Sequence, residues 1–166
     1  MGSQKIEKLP KKARIMLLGI ALSALGNGLV LPYTFIYFHN IRGFPIAVAG
    51  LIASYGAFSS LAISPLVGNL IDKWGPKPVL ITSLLVSSIG YCSLSLVKTI
   101  PQAFLVTTVC AMGQSAMWPS QSAISTELTP EHMRERIYGA QFAMLNLGIG
   151  IGGLVSSLVV TLDNPR

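Results

Sequence analysis

Long apolar runs alternate with short polar segments along almost the whole chain. Five runs have about the 20 largely apolar residues that a helix needs to cross a bilayer core about 30 Å thick. They are residues 15–38, 46–71, 79–97, 100–126 and 137–162. Because the runs are continuous, they do not fit the alternating pattern of membrane barrel strands. The pattern therefore predicts an all-α membrane protein in which residues 15–162 form a transmembrane helical bundle.

The segments outside the runs predict how the helices are connected. The connections are short, so consecutive helices are expected to be antiparallel neighbours. A basic segment, residues 1–14, precedes the first helix, and residues 163–166 follow the fifth on the opposite side. An odd number of helices suggests that the chain stops before a sixth helix of a larger bundle.

The distribution of charged residues predicts how the helices are oriented in the membrane. The chain is 51% hydrophobic and 11% charged, against about 25% charged residues in an average soluble domain. Nine of its 12 basic residues lie before the first helix or in the second and fourth connections. Since basic residues are enriched in cytoplasmic loops, we expect a multi-pass protein of the cell (inner) membrane with a cytoplasmic N-terminus. The lipid bilayer then accounts for the net charge of +6, and no nucleic-acid partner is expected.

Polar and aromatic side chains inside the runs are the candidate binding residues. A polar group in a membrane helix is costly unless it faces protein or water. In the fourth run Gln114, Trp118 and Gln121 follow helical spacing and form one stripe. The full candidate set is Asn27, Tyr33, Thr34, Tyr55, Gln114, Trp118, Gln121, Gln141 and Asn146. One interpretation is an uncharged, water-filled substrate cavity, and the alternative is hydrogen bonding between helices.

Small residues recur every fourth position in the second and fifth runs. Such spacing produces a smooth helix face that a neighbouring backbone can approach closely. The predicted packing residues are Gly56, Ser60, Ser64 and Gly68 in the second run, and Gly148, Gly152 and the adjacent Gly153 in the fifth. These faces either pack ordinary helices or allow helices to move against each other.

Residues for chemical catalysis are not apparent. His39 and His132 lie in predicted connections on opposite sides, and Cys92 and Cys110 read as reduced apolar thiols. No charged residue falls in the middle of a predicted span. We therefore expect neither an enzyme nor a bound cofactor or metal ion.

The second connection carries a recognisable pattern. The segment GNLIDKWGPKPVL, residues 68–80, resembles the signature G-x-L-x-D-[RK]-x-G-[RK]-[RK] between helices two and three of the major facilitator superfamily. The matching positions are Gly68, Leu70, Asp72, Lys73, Gly75 and Lys77, while Pro76 replaces a basic residue. Weaker similarity to twelve-helix drug:proton antiporters occurs at Leu25-Gly26 with Pro32 and in the glycine-rich fifth run, although Val109 stands where the family has an arginine.

This resemblance implies the N-terminal five of twelve helices of a transporter working by alternating access. The gating loop would consist of Gly68, Asp72, Lys73, Gly75 and Lys77, with Asp72 capping a facing helix. It implies proton-coupled export of drugs or small lipophilic compounds, a small-molecule substrate, the proton gradient as energy source, and a C-terminal transporter half as partner. A nutrient or metabolite transporter of the same fold remains an alternative. So does a structural or regulatory membrane bundle that does not transport.

Overall fold

The chain folds into long α-helices. The computed structural model describes residues 9–163, except the side chains of residues 31, 32 and 159–163. The helices are α1 (Lys11–Ile36), α2 (Ile46–Trp74), α3 (Pro76–Leu94), α4 (Ile100–Glu127) and α5 (Arg134–Asp163), with a π-helical turn Tyr37–Ile41 and a 3-10 turn Glu131–Met133. No strand occurs among the described residues. The predicted all-α class is confirmed.

The segment predicted as the second connection is almost entirely helical. α2 continues to Trp74 and α3 begins at Pro76, so only Gly75 lies between them. Gly75 has φ +82° and ψ 160°, a conformation essentially restricted to glycine. Pro76 fits the first helical position, where a missing N–H costs nothing. The prolines that suggested a loop therefore begin a helix.

Four helical segments are long and apolar enough to cross a membrane: Lys11–Ile41, Ile46–Trp74, Pro76–Leu94 and Glu131–Leu158. Helix α4 has 28 residues but is not one of them, because its glutamines and serines lower its mean hydropathy. Several of these polar residues are buried, among them Ser120 and Gln121. A helix whose polar side chains face protein can cross a membrane with a lower mean hydropathy. That α4 spans the membrane stays a prediction.

The chain divides into two compact units. The first comprises Met1–Leu29 and Ser125–Arg166, and its core contains Ala13, Leu17, Ile20 and Ile137. The second is Val30–Ile124. Its larger core consists of Phe38, Phe44, Ala49, Ile52, Val97, Ala103 and Val106, and a smaller one of Val67, Val79 and Ala116.

Large apolar side chains are also abundant on the surface. Leu22, Phe58 and Leu96 are each more than 70% exposed. In water such a surface would favour aggregation, whereas in a bilayer it faces lipid tails of the same polarity. The exposed apolar helix faces fit a membrane protein.

Candidate functional site

The predicted cavity residues are divided between the two units. Asn27, Gln141 and Asn146 belong to the first, and Tyr33, Thr34, Tyr55, Gln114, Trp118 and Gln121 to the second. In the first unit Gln141 is completely buried, whereas Asn146, five residues further along α5, is exposed and donates to its own helix at Phe142 O, 2.7 Å away. The two amides therefore lie in different environments, one enclosed by protein and one at the surface.

A polar contact in the second unit joins α2 to α4 near Tyr55. The Tyr55 and Thr108 hydroxyl oxygens are 3.0 Å apart, and Thr108 Oγ1 donates to Phe104 O at 2.9 Å. Since Thr108 has one hydroxyl proton, Tyr55 is the donor in their shared bond. The Tyr55 ring also meets the Phe104 ring edge-on, with centroids 5.0 Å apart. Tyr55 thus belongs to a small aromatic and hydroxyl cluster that is partly exposed.

The stripe predicted on α4 is not uniform in its surroundings. Gln114 Nε2 donates to Tyr91 Oη on α3. Trp118 is exposed and Gln121 is buried. Three residues on one helix face therefore contribute one contact between helices, one exposed aromatic ring and one buried amide.

Tyr33 and Thr34 lie near the end of α1, and both are half-buried. Thr34 Oγ1 donates to Val30 O at 3.0 Å, so its hydroxyl is satisfied within its own helix. In the first unit, Asn27 is also half-buried. These positions are compatible with a polar cavity, whose existence remains a prediction.

Predicted packing residues on α5 do bring backbones together in the first unit. A Cβ added to Gly148 would lie 2.5 Å from Ala21 O, and one added to Gly152 would meet Leu25 O. Gly28 on α1 makes the equivalent contact with α5, because a Cβ added to it would meet Ile149 O. Only glycine permits this approach of α1 and α5. Gly153 has open space instead, since a residue one position further along the helix points about 100° away.

The small-residue face of α2 is packed along only part of its length. An added Cβ at Gly56 would lie 2.9 Å from the Thr107 methyl group, and Ser60 is half-buried. Ser64 and Gly68 are exposed, and Gly68 has no neighbour within 4 Å of an added Cβ. Close packing at Gly68, Ser64 and Gly153 is not seen among the described residues of each unit and stays a prediction. The neighbouring Val67 is buried against Val79 and Ala116, so this end of α2 packs through a different face.

A second close contact, between α3 and α4, was not predicted. A Cβ on Gly90 would lie 2.7 Å from Cys110 Sγ, and one on Gly113 would lie 2.8 Å from Ser83 O. Ser83, Ser87 and Gly90 are all buried at helical spacing on α3. That spacing was visible in the sequence and could have identified this contact.

The Asp72 turn, residues 72–78, presents its charges outward. Asp72, Lys73 and Lys77 are exposed, and none makes a side-chain hydrogen bond or ion pair with the described residues of its unit. The N-cap of α3 is Gly75, without a side-chain cap. Asp72 therefore does not cap the adjacent helix, and the predicted gating loop is a sharp turn between two helices.

The Arg42 turn, residues 37–45, lies at the other end of α2 and is tied to α3. Arg42 Nε donates to Tyr37 Oη at 2.6 Å, and Arg42 Nη2 donates to Ser95 O at 2.6 Å. The guanidinium lies 5.0 Å from the centre of the Tyr37 ring, and Tyr37 Oη donates to Leu94 O at 2.8 Å. Sequence reasoning missed this network, because it depends on where α3 ends in space.

Among the described residues, no group of three or more His, Cys, Asp or Glu side chains is arranged to hold a metal ion. The polar groups that the structure does bring together are amides, hydroxyls and aromatic rings. Such groups recognise ligands by hydrogen bonding and stacking.

Comparison with known proteins gives consistent matches along the chain. The family model described as Major Facilitator Superfamily matches residues 16–165. The "Uncharacterized MFS-type transporter YttB" of Bacillus subtilis is 26% identical over 152 residues, which cover 90% of this chain and 38% of that protein. The "Quinolone resistance protein NorA" of Staphylococcus aureus is 26% identical over 152 residues, covering 89% of this chain and 39% of NorA. The chain thus spans about two fifths of the length of these relatives.

Proposed function

The chain belongs to the major facilitator superfamily, and from this premise we propose that it forms part of a proton-coupled exporter of drugs or small lipophilic compounds. The chain would supply helices of the N-terminal half, and a C-terminal half would complete the substrate pathway. Support for a drug-like substrate comes from the similarity to NorA, whose name refers to quinolone resistance. The exposed aromatic side chains Tyr55 and Trp118 suit a lipophilic ligand.

The observation that carries the proposal is the electrostatic placement of the Asp72 turn. Asp72 lies in the last turn of α2, where the helix dipole is negative, and Lys77 lies in the first turn of α3, where the dipole is positive. Each charge therefore opposes the dipole of its own helix, at a cost of about 0.3–1 kcal/mol when exposed. Lys73 is favourably placed in the last turn of α2, whereas Asp72 and Lys77 destabilise their own helices. Charges of this kind without a partner in their unit are suited to bind an element elsewhere.

We assign the Asp72 turn the role of a gate latch. In one state of the transport cycle, Asp72 would accept hydrogen bonds from the N-terminus of a facing helix, and Lys73 and Lys77 would pair with acidic residues. In the other state these contacts would break. An interaction worth about 0.3–2 kcal/mol shifts a two-state equilibrium and still breaks in each cycle. Gly75 keeps the turn sharp, so the charges stay at the surface.

We further propose that polar and aromatic residues inside the helices of each unit contribute to substrate binding. The proposed set is the one predicted from the sequence: Asn27, Tyr33, Thr34, Tyr55, Gln114, Trp118, Gln121, Gln141 and Asn146. Tyr55 and Trp118 are its strongest members because their rings are exposed. Gln114 and Gln141 would act by positioning helices, since Gln114 bonds Tyr91 and Gln141 is buried.

The test uses the complete transporter in lipid vesicles with an imposed proton gradient. Efflux of a fluorescent lipophilic cation should depend on the gradient and stop when an uncoupler removes it. Asp72→Asn should slow efflux by about 2- to 30-fold, the equivalent of a latch worth about 0.3–2 kcal/mol. Lys98→Gln, which removes one exposed charge outside the turn, should leave efflux unchanged. Gradient-independent efflux would contradict proton coupling, and full activity of Asp72→Asn would contradict the latch.

A nutrient or metabolite transporter is the second candidate, and one residue favours it. Val109 stands where the antiporter pattern has an arginine associated with proton coupling. The same vesicles would then show gradient-driven uptake of a polar solute and no export of lipophilic cations. The two functions are distinguished by the direction of transport and the class of substrate.

A further inference from the structure

The N-terminal ends of α1 and α5 lie side by side in the first unit. Ala13 and Ile137 are both completely buried in the same apolar cluster. Ala13 is two residues into α1, and Ile137 is three residues into α5. The two helices therefore begin at the same level, and the basic residues of both first turns lie at that level.

One face of α1 is apolar and exposed. Ile15, Leu18 and Leu22 are 60%, 68% and 73% exposed and follow helical spacing. Lys11 precedes Ile15 by four residues and Leu18 by seven, so it lies on the same face. The apolar stripe thus changes to a basic residue at the helix end, where the hydrocarbon region of a bilayer gives way to headgroups.

Among the described residues of the first unit, no acidic side chain pairs with the basic residues at this end of α1, although Glu135 lies in the first turn of α5. Lys11, Lys12 and Arg14 are exposed and make no side-chain hydrogen bond or ion pair with the described residues of their unit. The first turn of α1 contains no acidic residue. By contrast, Arg134 at the start of α5 pairs with Glu131 at 3.5 Å. Three adjacent positive charges therefore remain available to an external anion.

We propose that Lys11, Lys12 and Arg14 bind the headgroup of an anionic phospholipid whose acyl chains lie along Ile15, Leu18 and Leu22. The guanidinium of Arg14 can hold a phosphate through two parallel hydrogen bonds, and the lysines add point charges. A soluble anion would use the charges alone. The phospholipid uses both the charges and the adjacent apolar stripe, and this continuity selects it as the ligand. The site does not depend on what the protein transports.

The experiment titrates the purified full chain in neutral detergent with phosphatidylglycerol, phosphatidylcholine or inorganic phosphate, and measures bound ligand by native mass spectrometry. Phosphatidylglycerol should bind more tightly than phosphatidylcholine, and inorganic phosphate should not displace it at equal concentration. A basic residue near an anionic lipid surface contributes about a fivefold change in affinity. Lys11→Gln should therefore weaken phosphatidylglycerol binding about 5-fold, and the triple variant Lys11→Gln, Lys12→Gln, Arg14→Gln by about 100-fold.

Two further variants distinguish a site from general attraction. Lys11→Arg with Lys12→Arg should keep the affinity, because the charge is retained. Lys98→Gln removes an exposed lysine from the second unit and should change binding less than 2-fold. Equal binding of the two lipids, equal competition by inorganic phosphate, or an equal loss in Lys98→Gln would overturn the proposal. If the triple variant does not fold, as judged by helicity and gel filtration, an unchanged affinity in folded Lys11→Gln is sufficient to reject it.

Discussion

The two turns at the ends of α2 use charge in opposite ways, although both belong to the same unit. In the Arg42 turn the guanidinium is held by Tyr37 and by the carbonyl oxygen of Ser95. In the Asp72 turn, Asp72, Lys73 and Lys77 have no side-chain partner among the described residues of the unit. The side chains of one turn link two helices, and those of the other leave their charges at the surface.

The backbones of the Arg42 turn and the Asp72 turn also differ. Nine residues, 37–45, separate α1 from α2, and they include a π-helical turn that lets Tyr37 and Arg42 face each other. A single residue, Gly75, separates α2 from α3. A turn this short fixes the two helix ends relative to each other without any side-chain contact. The charges of the Asp72 turn are thus not needed to hold it together.

Gly75→Ala should have the largest effect on stability. The φ and ψ of Gly75 are strained for any residue with a Cβ, at a cost of about 1–3 kcal/mol. The melting temperature in detergent should fall accordingly. Gly68→Ala is the matched control, because it lies within α2 and an added Cβ meets no atom within 4 Å. It should leave stability unchanged or raise it by up to about 1 kcal/mol. Equal effects of the two variants would contradict the assigned backbone role of Gly75.

Arg42→Gln should have the second-largest effect on stability. It removes two hydrogen bonds from a charged donor and the contact with the Tyr37 ring, which together are worth about 1–2 kcal/mol in a partly exposed position. The free energy of unfolding in a mild denaturant series should fall by that amount. Lys98→Gln provides the comparison of an exposed basic residue whose side chain has no described partner in its unit. If both variants have the same free energy of unfolding, the Arg42 turn does not hold the helices together.

Tyr37→Phe should cost about 0.5–1.5 kcal/mol, because it removes the hydroxyl that links Arg42 to Leu94 O and keeps the ring. In Arg42→Gln the same substitution should cost less, since part of the network is already lost. A double-mutant cycle measured by thermal unfolding gives this coupling directly. Strict additivity would show that the two residues act independently.

Asp72→Asn should have the smallest effect on stability and the opposite sign. Removing a negative charge from the C-terminal turn of α2 relieves an unfavourable dipole interaction of about 0.3 kcal/mol. The melting temperature should therefore stay the same or rise slightly. A clear fall would mean that Asp72 has a structural partner and would remove the contrast between the turns.

The sequence predicted the helices better than their ends. Continuous apolar runs specify α1, α2, α3 and α5, because a helix that crosses a bilayer must be both long and apolar. The Asp72 turn was predicted as a loop of seven residues because prolines and charges usually end a helix. Pro76 instead begins one, and whether a proline ends or starts a helix depends on the residue before it.

The candidate site was predictable only in part, for a different reason. The candidate polar residues were identified from their spacing, but the pairing of Gln114 with Tyr91 and of Tyr55 with Thr108 depends on how far one helix is shifted along another. Helix register also decides which glycines are closely packed. Gly148 and Gly152 contact α1, whereas an added Cβ at Gly68 would meet no atom within 4 Å. Residue type sets what a side chain can do, and helix register decides which residue it meets.

The most direct test of the account compares transport with stability in Asp72→Asn and Arg42→Gln, using the complete transporter in vesicles and the same preparations for thermal unfolding. Asp72→Asn should lower gradient-driven efflux by about 2- to 30-fold with an unchanged or slightly higher melting temperature. Arg42→Gln should lower the melting temperature, with efflux per folded molecule close to that of the parent protein. Full efflux in Asp72→Asn, or a loss of efflux that only follows its loss of stability, would contradict the assignment of the Asp72 turn as a gate latch.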